Sequence, residues 1–313
     1  MSRTWDFQNL NQLIDFPIKS ELGRYPSGPC EITFNVQNCN KLSGILTKDA
    51  DYIINNTNKL TDISWLRKYQ EMNSRSITFS DTSNIRNIDN AFGRIDCNFT
   101  ISLPKLESAY RAFYSKTSYN SAWTYTINDI PEGFNAEDMF YNCGNFLQNV
   151  NSNVVWKPRN AKYLFYGCNK LISVPEFDLD DCEDCSSMFN NCSKLTTFNI
   201  HGTPKCNCGA MFGGCSLLTE IPPNLNLNEA TGLSNIFTST GITYVPTINN
   251  KVMADMFYSS NVIRCDGINA CDNVDSSYYG TVSWRGNNIR YLVIKGIGQD
   301  RRTSSYYRNI SFS

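Results

Sequence analysis

Two groups of closely spaced cysteines are the side chains in this sequence whose type and spacing could do chemistry. Cys182 and Cys185 enclose two residues in the segment CEDC, and Cys206 and Cys208 enclose one residue in CNC. Thiolates at such spacing can share a tetrahedral zinc ion. Free cysteine also behaves as a small buried hydrophobic residue. The cysteines alone therefore allow either a metal site or core positions filled by thiols, and the surrounding pattern has to separate the two.

Other catalytic groups are sparse. His201 is the single histidine, and no Ser or Cys stands in a recognisable nucleophile elbow around it, so we interpret it as solvated rather than as a general base. The acidic run at 178–184 lacks the spacing and the glycine of a calcium loop and is interpreted as a solvated turn. Glycine-rich phosphate loops are absent. Sequence alone does not test for the pair of facing carboxylates that a glycosidase requires.

A repeated apolar spacing surrounds the cysteines. With Phe189 as position 0, apolar side chains in the segment 182–200 fall at positions −7, −4, −1, 0, +3, +6 and +9. The same frame fits units anchored on Phe92, Phe113, Phe140, Phe165, Phe212, Phe237 and Phe257. Neighbouring anchors lie 20 to 27 residues apart, a period typical of leucine-rich solenoids. The first half of each unit steps by three and four residues, which predicts a short helix, and the second half predicts a strand.

The pattern V-x-x-M-x-x-M-F-x-x-C-x-x-L-x-x-L resembles the BspA-like leucine-rich repeats of bacterial surface proteins and mycoplasma lipoproteins, which also occur in some phage proteins. The resemblance is good over residues 135–265 and degenerate over residues 32–123. It implies a solenoid with a binding or scaffolding role. It identifies no ligand, because the motif residues are buried spacers that proteins with unrelated partners share.

We therefore predict an α/β solenoid, a leucine-rich-repeat-like array of short helix plus short strand units. Residues 1–31 are predicted to form an N-terminal arm or cap, 32–271 the solenoid, and 272–313 a β-rich cap and tail. Within the last region two candidate strands, TVSW and IRYLVIKGI, flank Gly-Asn-Asn, which indicates a β-hairpin. Each repeat has one apolar face, so stability is expected to come from stacking, with caps at the ends.

The repeat frame favours structural thiols over a metal site. Cys182 falls at position −7, Cys185 and Cys208 at −4, and Cys143, Cys168, Cys192 and Cys215 at +3. Neighbouring units fill position −4 with Ala109, Ala136, Ala161 and Leu233. Only Cys206 lies outside the frame, by one residue, and the sequence assigns it no role. We accordingly predict reduced cysteines, no metal ligand and no cofactor.

Composition argues against several partners. The 313-residue chain has a net charge of −1, which provides no electrostatic attraction to nucleic acid or anionic lipid. No apolar run suits a secretory signal or a membrane-spanning helix. We therefore expect synthesis in a cytoplasm and no membrane insertion.

These observations predict a non-enzymatic scaffold or recognition protein, most specifically a bacteriophage virion component (tail, fibre or accessory protein) made in the host cytoplasm. A cellular surface adhesin and a glycan depolymerase are the alternatives. The expected partners are other protein subunits of an oligomeric assembly, with a host-surface protein or glycan as further candidates. Binding is predicted on an outward strand face and at the two ends. The residues concerned are Ile172, Ser173, Thr196, Thr197, Thr219, Glu220, Trp5, Phe7, Tyr306, Tyr307 and Phe312.

Overall fold

A computed structural model of the 313-residue chain shows short strands joined by turns. The structure describes residues 2–6, 31–35, 51–55, 57–64, 76–93, 97–114, 122–246, 264–269, 291–295 and 310–312. The strands are β1 (Ser2–Asp6), β2 (Glu31–Asn35), β3 (Asp51–Asn55), β4 (Ser76–Phe79), β5 (Phe99–Ser102), β6 (Trp123–Asn128), β7 (Leu147–Asn151), β8 (Phe177–Asp178), β9 (Ile200–His201), β10 (Tyr244–Val245), β11 (Arg264–Asn269), β12 (Tyr291–Lys295) and β13 (Ile310–Phe312).

Each strand pairs with its neighbour along the chain, and every pairing among the described strands is parallel. The sheets follow chain order as β1 to β4, β5 to β7, β8 with β9, and β10 to β13. Isolated parallel bridges such as Asn149 with Ser173 and Gly202 with Leu225 continue the pairing beyond the named strands. A chain whose successive segments stack in parallel winds as a β-solenoid, with one coil for each sequence repeat.

The core is a column of phenylalanine rings at position 0 of the repeat. Phe92, Phe113, Phe140, Phe165, Phe189, Phe212 and Phe237 stack in this order. Consecutive centroids are 5.0 to 6.1 Å apart and the ring planes differ by 4° to 23°. All seven rings are buried. The apolar frame read from the sequence is therefore the core of the protein.

The prediction of an α/β solenoid is wrong, because the described ranges contain no α-helix where the helical half of each unit was expected. In the coil of Phe189, Ser187 and Asn191 have left-handed backbones, with φ of 55° and 64°. Positions −2 and +2 of the neighbouring coils are also left-handed, at Asp138, Asn142, Tyr163, Gly167, Ala210, Gly214, Asn235 and Ser239. A right-handed helix does not tolerate a left-handed residue in every turn. The segment is instead a series of tight turns.

The hydrogen bonds show what replaces the helix. The amides of Met188, Asn190 and Cys192 each donate to the carbonyl three residues earlier, at 3.0 to 3.3 Å. The intervening amides of Ser187, Phe189 and Asn191 donate to the next coil, to the carbonyls of Gly209, Met211 and Gly213. Half of the six amides in this segment therefore donate to the next coil, as in a parallel sheet. The buried backbone amides thus have hydrogen-bond acceptors without forming a helix.

A column of short polar residues runs along position −5 and was not anticipated from the sequence. Parallel bridges connect Asn87, Ser108, Asn135, Asn160, Asp184, Asn207 and Gly232 in successive coils. The side-chain oxygen of the Asn or Asp accepts the amide of the residue two positions later at 2.7 to 3.1 Å. Such side chains stabilise turns by replacing a backbone acceptor. This column begins the turn series in each coil.

Candidate functional site

The predicted outward strand face is accessible to solvent. Exposed residues are Ile172, Thr196, Thr197, Thr219 and Glu220, while Ser173 is half-buried. Ser173 Oγ lies 2.8 Å from Asn149 Oδ1, and Asn149 Nδ2 donates to Thr124 Oγ1 at 3.1 Å. Part of the polar face is therefore occupied by hydrogen bonds between coils.

The predicted binding residues at the ends are only partly described. Trp5 lies in β1, opposite Phe34 in the register with β2. Phe312 lies in β13, opposite Ile294 of β12. Phe7, Tyr306 and Tyr307 lie outside the described residues, as do the TVSW segment of the predicted hairpin and the anchor Phe257. Both sheet neighbours of β12 are parallel strands.

A surface that the sequence reasoning missed is formed by tyrosines in the turns of consecutive coils. The tyrosine surface consists of Tyr110, Tyr114, Tyr141, Tyr163 and Tyr166, all half-buried. Tyr114 and Tyr141 stack with centroids 5.7 Å apart, and Tyr141 and Tyr166 with centroids 4.8 Å apart and planes within 8°. Tyr163 lies edge-on to Tyr141 and Tyr166. The recurrence of tyrosine at position +1 in three successive units was the signal that could have revealed it.

Two cations flank the tyrosine surface. Arg111 lies over the rings of Tyr110 and Tyr114, with its guanidinium carbon 5.0 and 5.7 Å from the ring centroids. Its Nε also pairs with Asp138 Oδ2 at 2.9 Å, and this hydrogen bond raises the pKa of Arg111. Lys162 lies over the Tyr163 ring at 5.4 Å. A cation over an aromatic face is attracted to the ring, so Arg111 and Lys162 help to hold these rings in place.

The second carboxylate oxygen of Asp138, Oδ1, is not the one that pairs with Arg111. The residue is buried, and Oδ1 has no hydrogen-bond partner among the described residues. Burial, followed by the neighbouring Tyr166, raises the pKa of Tyr141, so its hydroxyl stays protonated and can donate a hydrogen bond. The tyrosine surface therefore offers hydroxyl groups and ring edges, while Asp138 Oδ1 stays buried.

The two cysteine groups singled out in the sequence come together in successive coils. We call Cys182, Cys185, Cys206 and Cys208 the thiol cluster. The sulfurs of Cys182, Cys185 and Cys206 all lie within 4.8 Å of one another. Cys185 Sγ is 3.1 Å from Cys206 Sγ and 3.3 Å from Cys208 Sγ. All four residues are buried, with exposed fractions of 5, 0, 5 and 0%.

Contacts among these thiols shift their pKa values in opposite directions. Contacts with Cys182, Cys185 and Cys208 lower the pKa of Cys206. Contacts with Cys182, Cys206 and Cys208, together with burial, raise the pKa of Cys185. The contact with Cys185 lowers the pKa of Cys182, but the contact with Cys206 and burial outweigh it and raise this pKa to about 12. Cys206 is therefore the sulfur that the cluster favours as a thiolate, with its neighbours as donors.

A second set of buried cysteines occupies position +3, and we call Cys143, Cys168, Cys192 and Cys215 the cysteine ladder. Each sulfur lies 3.0 to 3.2 Å from the carbonyl of the position-0 phenylalanine in the preceding coil. Burial raises the pKa of Cys192, and it raises that of Cys215 to about 12. Each thiol of the ladder thus has a backbone carbonyl as acceptor for its S–H. The described cysteines are all free of disulfide bonds.

His201 and the acidic run show no nucleophile in their described contacts. His201 lies in β9, with Nε2 3.4 Å from Glu176 Oε1 and Nδ1 4.0 Å from Asp178 Oδ1. Within the acidic run, Asp180 Oδ1 accepts the amide of Thr203 at 2.7 Å, and Asp184 Oδ1 accepts the amide of Ser186 at 2.8 Å. These carboxylates complete turns and hold neighbouring coils together.

Comparison with known proteins connects the repeats to one family. Residues 55–170, and in an overlapping match residues 104–203, fit the family described as "Mycoplasma protein of unknown function, DUF285". No curated protein and no solved structure matches the chain. The matched residues include Cys182 and Cys185 and end before Cys206. Among the described residues, no helix is long and apolar enough to span a membrane.

Proposed function

We propose that this protein is a non-enzymatic recognition scaffold that binds protein partners through the tyrosine surface. The observation that carries the proposal is the alignment of Tyr114, Tyr141 and Tyr166 in three consecutive coils, half-buried and stacked. Tyrosine supplies a large contact area with few rotatable bonds, and it is enriched among residues that dominate interface energies. A solenoid that holds such rings at the coil spacing presents them already ordered, which reduces the entropy lost on binding.

The ring geometry favours a protein partner over a glycan. A sugar packs its C–H groups against an exposed aromatic face, but the faces of Tyr141 and Tyr166 are turned toward each other at 4.8 Å. Tyr163 has Lys162 over its ring at 5.4 Å. Ring edges and hydroxyl groups suit contacts with the backbone and side chains of another protein. The strand face around Thr196 and Thr197 is the second surface to which a partner could bind.

Within this class we propose a bacteriophage virion component, such as a tail, fibre or accessory protein. The support is compositional: the sequence is rich in Asn, Ile and Tyr, and its terminal segments carry aromatic residues outside the repeat frame. A cellular surface adhesin is the alternative, supported by the resemblance to BspA-like surface repeats and by the match to a Mycoplasma family. Both assignments share the recognition role. They differ in whether a virion or a cell surface carries the protein.

No observation on the described residues favours a depolymerase. A glycosidase needs two carboxylates across a cleft that accepts a sugar chain. A described cleft beside β4 and β5 is lined by Thr78, Phe79, Thr82, Thr100, Ile101, Ser102 and Asn128, with no carboxylate among these residues.

The test is to identify the partner and then to remove the tyrosines. Cross-linking the full chain in its native assembly, followed by mass spectrometry, identifies the neighbours and the residues that contact them. The paired substitution Tyr141→Ala and Tyr166→Ala should weaken capture of that neighbour at least about tenfold, which is a typical loss for an aromatic anchor. Tyr244→Ala, which removes a tyrosine from another coil, and Thr197→Ala on the strand face serve as matched controls.

The controls decide which surface is used. A loss of capture confined to the tyrosine pair supports the proposal. A loss confined to Thr197→Ala would move the binding site to the strand face, and unchanged capture in all variants would overturn binding at either surface. Circular dichroism and thermal melting of each variant establish that the coils stay folded.

A further inference from the structure

The thiol cluster is not explained by the packing that explains the cysteine ladder. In the ladder each S–H has a carbonyl oxygen, whereas Cys185 in the cluster faces two other sulfurs, at 3.1 and 3.3 Å. Cys182 and Cys208 have weaker backbone contacts, at 3.4 Å to Asp184 O and 3.7 Å to Cys206 O. Cys206 lies outside the repeat frame, so its burial against Cys185 is not a consequence of the repeated core position.

The sulfurs lie close enough together to share one ion. Two thiolates bound to zinc at about 2.3 Å in a tetrahedron lie about 3.8 Å apart. The two contacts of Cys185 Sγ, at 3.1 and 3.3 Å, are shorter than this value, and the sulfurs of Cys182, Cys185 and Cys206 lie within 4.8 Å of one another. Cys208 joins this group through its contact with Cys185. Small rotations about the Cα–Cβ bonds would open the shorter contacts, because each side chain has a single χ angle to adjust.

The chemistry of the donors selects the ion. Four sulfurs without oxygen or imidazole donors suit a thiophilic cation such as Zn²⁺ and do not suit Ca²⁺ or Mg²⁺. Four protein ligands around zinc leave no open position, which is the arrangement of structural rather than catalytic sites. Cys182 and Cys185 come from one coil and Cys206 and Cys208 from the next. An ion bound to all four would therefore link two successive coils.

We propose that Cys182, Cys185, Cys206 and Cys208 bind one Zn²⁺ ion as four thiolates, in a structural site that connects adjacent coils. This replaces the sequence prediction that these cysteines only fill the core. The earlier interpretation considered each position within its own repeat, whereas the site needs residues from two. Binding releases the protons of the four thiols to solvent, and the two positive charges of Zn²⁺ offset two of the four negative charges of the thiolates.

The experiment uses the full chain, reduced and freed of metal, then reconstituted with Zn²⁺ and desalted. Elemental analysis should find about one zinc ion per chain, because a closed site with four thiolates binds tightly. Co²⁺ in place of Zn²⁺ should give the intense visible absorption of a tetrahedral thiolate complex. Fewer than about 0.1 zinc ions per chain after reconstitution would overturn the proposal.

Matched variants locate the site. Cys206→Ala and Cys182→Ala should each weaken zinc binding by about 100-fold or more, since loss of an outer partner alone costs 10- to 100-fold. Cys215→Ala removes an equally buried thiol from the ladder and should retain one zinc ion per chain. If Cys206→Ala binds zinc as the unaltered chain does, the proposed ligand set is wrong.

Alkylation of the unaltered chain keeps the proposal testable if a variant fails to fold. In gently denaturing buffer, zinc should protect the four cluster cysteines from iodoacetamide, and a chelator should remove that protection, while labelling of Cys192 should not respond to zinc. Equal responses in both sets would contradict the proposal. So would a Cys185–Cys206 disulfide that forms in air, combined with no zinc binding after reduction, because it would identify the contact as a redox pair.

Discussion

The cysteine ladder and the thiol cluster contain the same residue type at similar burial, yet they differ in the atom that each sulfur faces. Ladder cysteines approach a backbone carbonyl of the preceding coil at 3.0 to 3.2 Å. In the cluster, Cys185 approaches two other sulfurs at 3.1 and 3.3 Å. A ladder thiol donates its one proton to a carbonyl oxygen, whereas the acceptors next to Cys185 Sγ are sulfurs, which accept hydrogen bonds more weakly than oxygen.

Burial alone does not distinguish a structural cysteine from a candidate ligand. Cys185 and Cys192 lie in the same coil and both are fully buried. What separates them is the neighbour across the coil interface, because Cys192 meets Phe165 O while Cys185 meets Cys206 and Cys208. If the partner decides the role of each cysteine, the two groups should respond differently to zinc and to substitution.

The largest effect is expected at Phe189, which belongs to the coil that carries both kinds of cysteine. The ring stacks between Phe165 and Phe212 and is fully buried. Phe189→Ala should lower the free energy of unfolding by about 3 to 5 kcal/mol, because it empties a core site between two rings. Urea unfolding followed by circular dichroism measures the change, with the exposed Thr197→Ala as control. A loss below about 1 kcal/mol would show that the column of rings is not the core that supports both groups.

The next effect separates the two groups by their response to metal. At free Zn²⁺ about 100 times the dissociation constant, the folded chain should gain about 2.7 kcal/mol of stability. Cys206→Ala should lose this gain and Cys192→Ala should keep it, since only the former removes a proposed ligand. Thermal melting with and without zinc gives the comparison. The distinction between ladder and cluster fails if both variants respond alike.

A smaller effect is expected from removing a ladder thiol. Cys192→Ala deletes one buried sulfur, which should cost about 1 kcal/mol, close to the value for one buried methylene group. The carbonyl of Phe165 still accepts the amide of Cys168 at 3.0 Å, so no acceptor is left unpaired. Urea unfolding in the absence and presence of zinc should give the same cost. A cost that appears only with zinc would mean that the ladder also takes part in metal binding.

The smallest effect is expected at Asp184, which is adjacent to the cluster in sequence. Its Oδ1 accepts the amide of Ser186, a role that Asn135, Asn160 and Asn207 fill in neighbouring coils. Asp184→Asn preserves this acceptor and should change stability by less than about 0.5 kcal/mol. Zinc affinity should stay within about threefold, because the proposed ligands are sulfurs. A larger fall in affinity would assign a direct role to the acidic run.

The repeat frame was recoverable from the sequence because the core positions are occupied by distinctive residues. Phenylalanine at position 0 and leucine or cysteine at +3 and +6 recur in successive units, and the structure buries them together. The tyrosine surface was equally present in the sequence at position +1. It was missed because Asn190 and Gly213 replace tyrosine at this position in the next two units, so the position does not appear as a repeated apolar one.

The helix prediction failed for a physical reason that lies outside any single repeat. Apolar residues three and four positions apart line one side of a helix, and they also line one side of a series of turns closed by hydrogen bonds three residues back. The two conformations differ in where the intervening amides donate. In a helix they donate within the segment, but here the amides of Ser187, Phe189 and Asn191 donate to the next coil.

The sequence by itself therefore determined the period, the core positions and the stacking of units, because each unit has one apolar face to bury. Only the tertiary structure decided that this backbone forms a series of turns instead of a helix, since the carbonyls that accept its intervening amides belong to another repeat. It also decided the partners of the cysteines. Cys185 and Cys206 are 21 residues apart in sequence and 3.1 Å apart between sulfurs, and a distance of that kind is set by how coils stack rather than by local spacing.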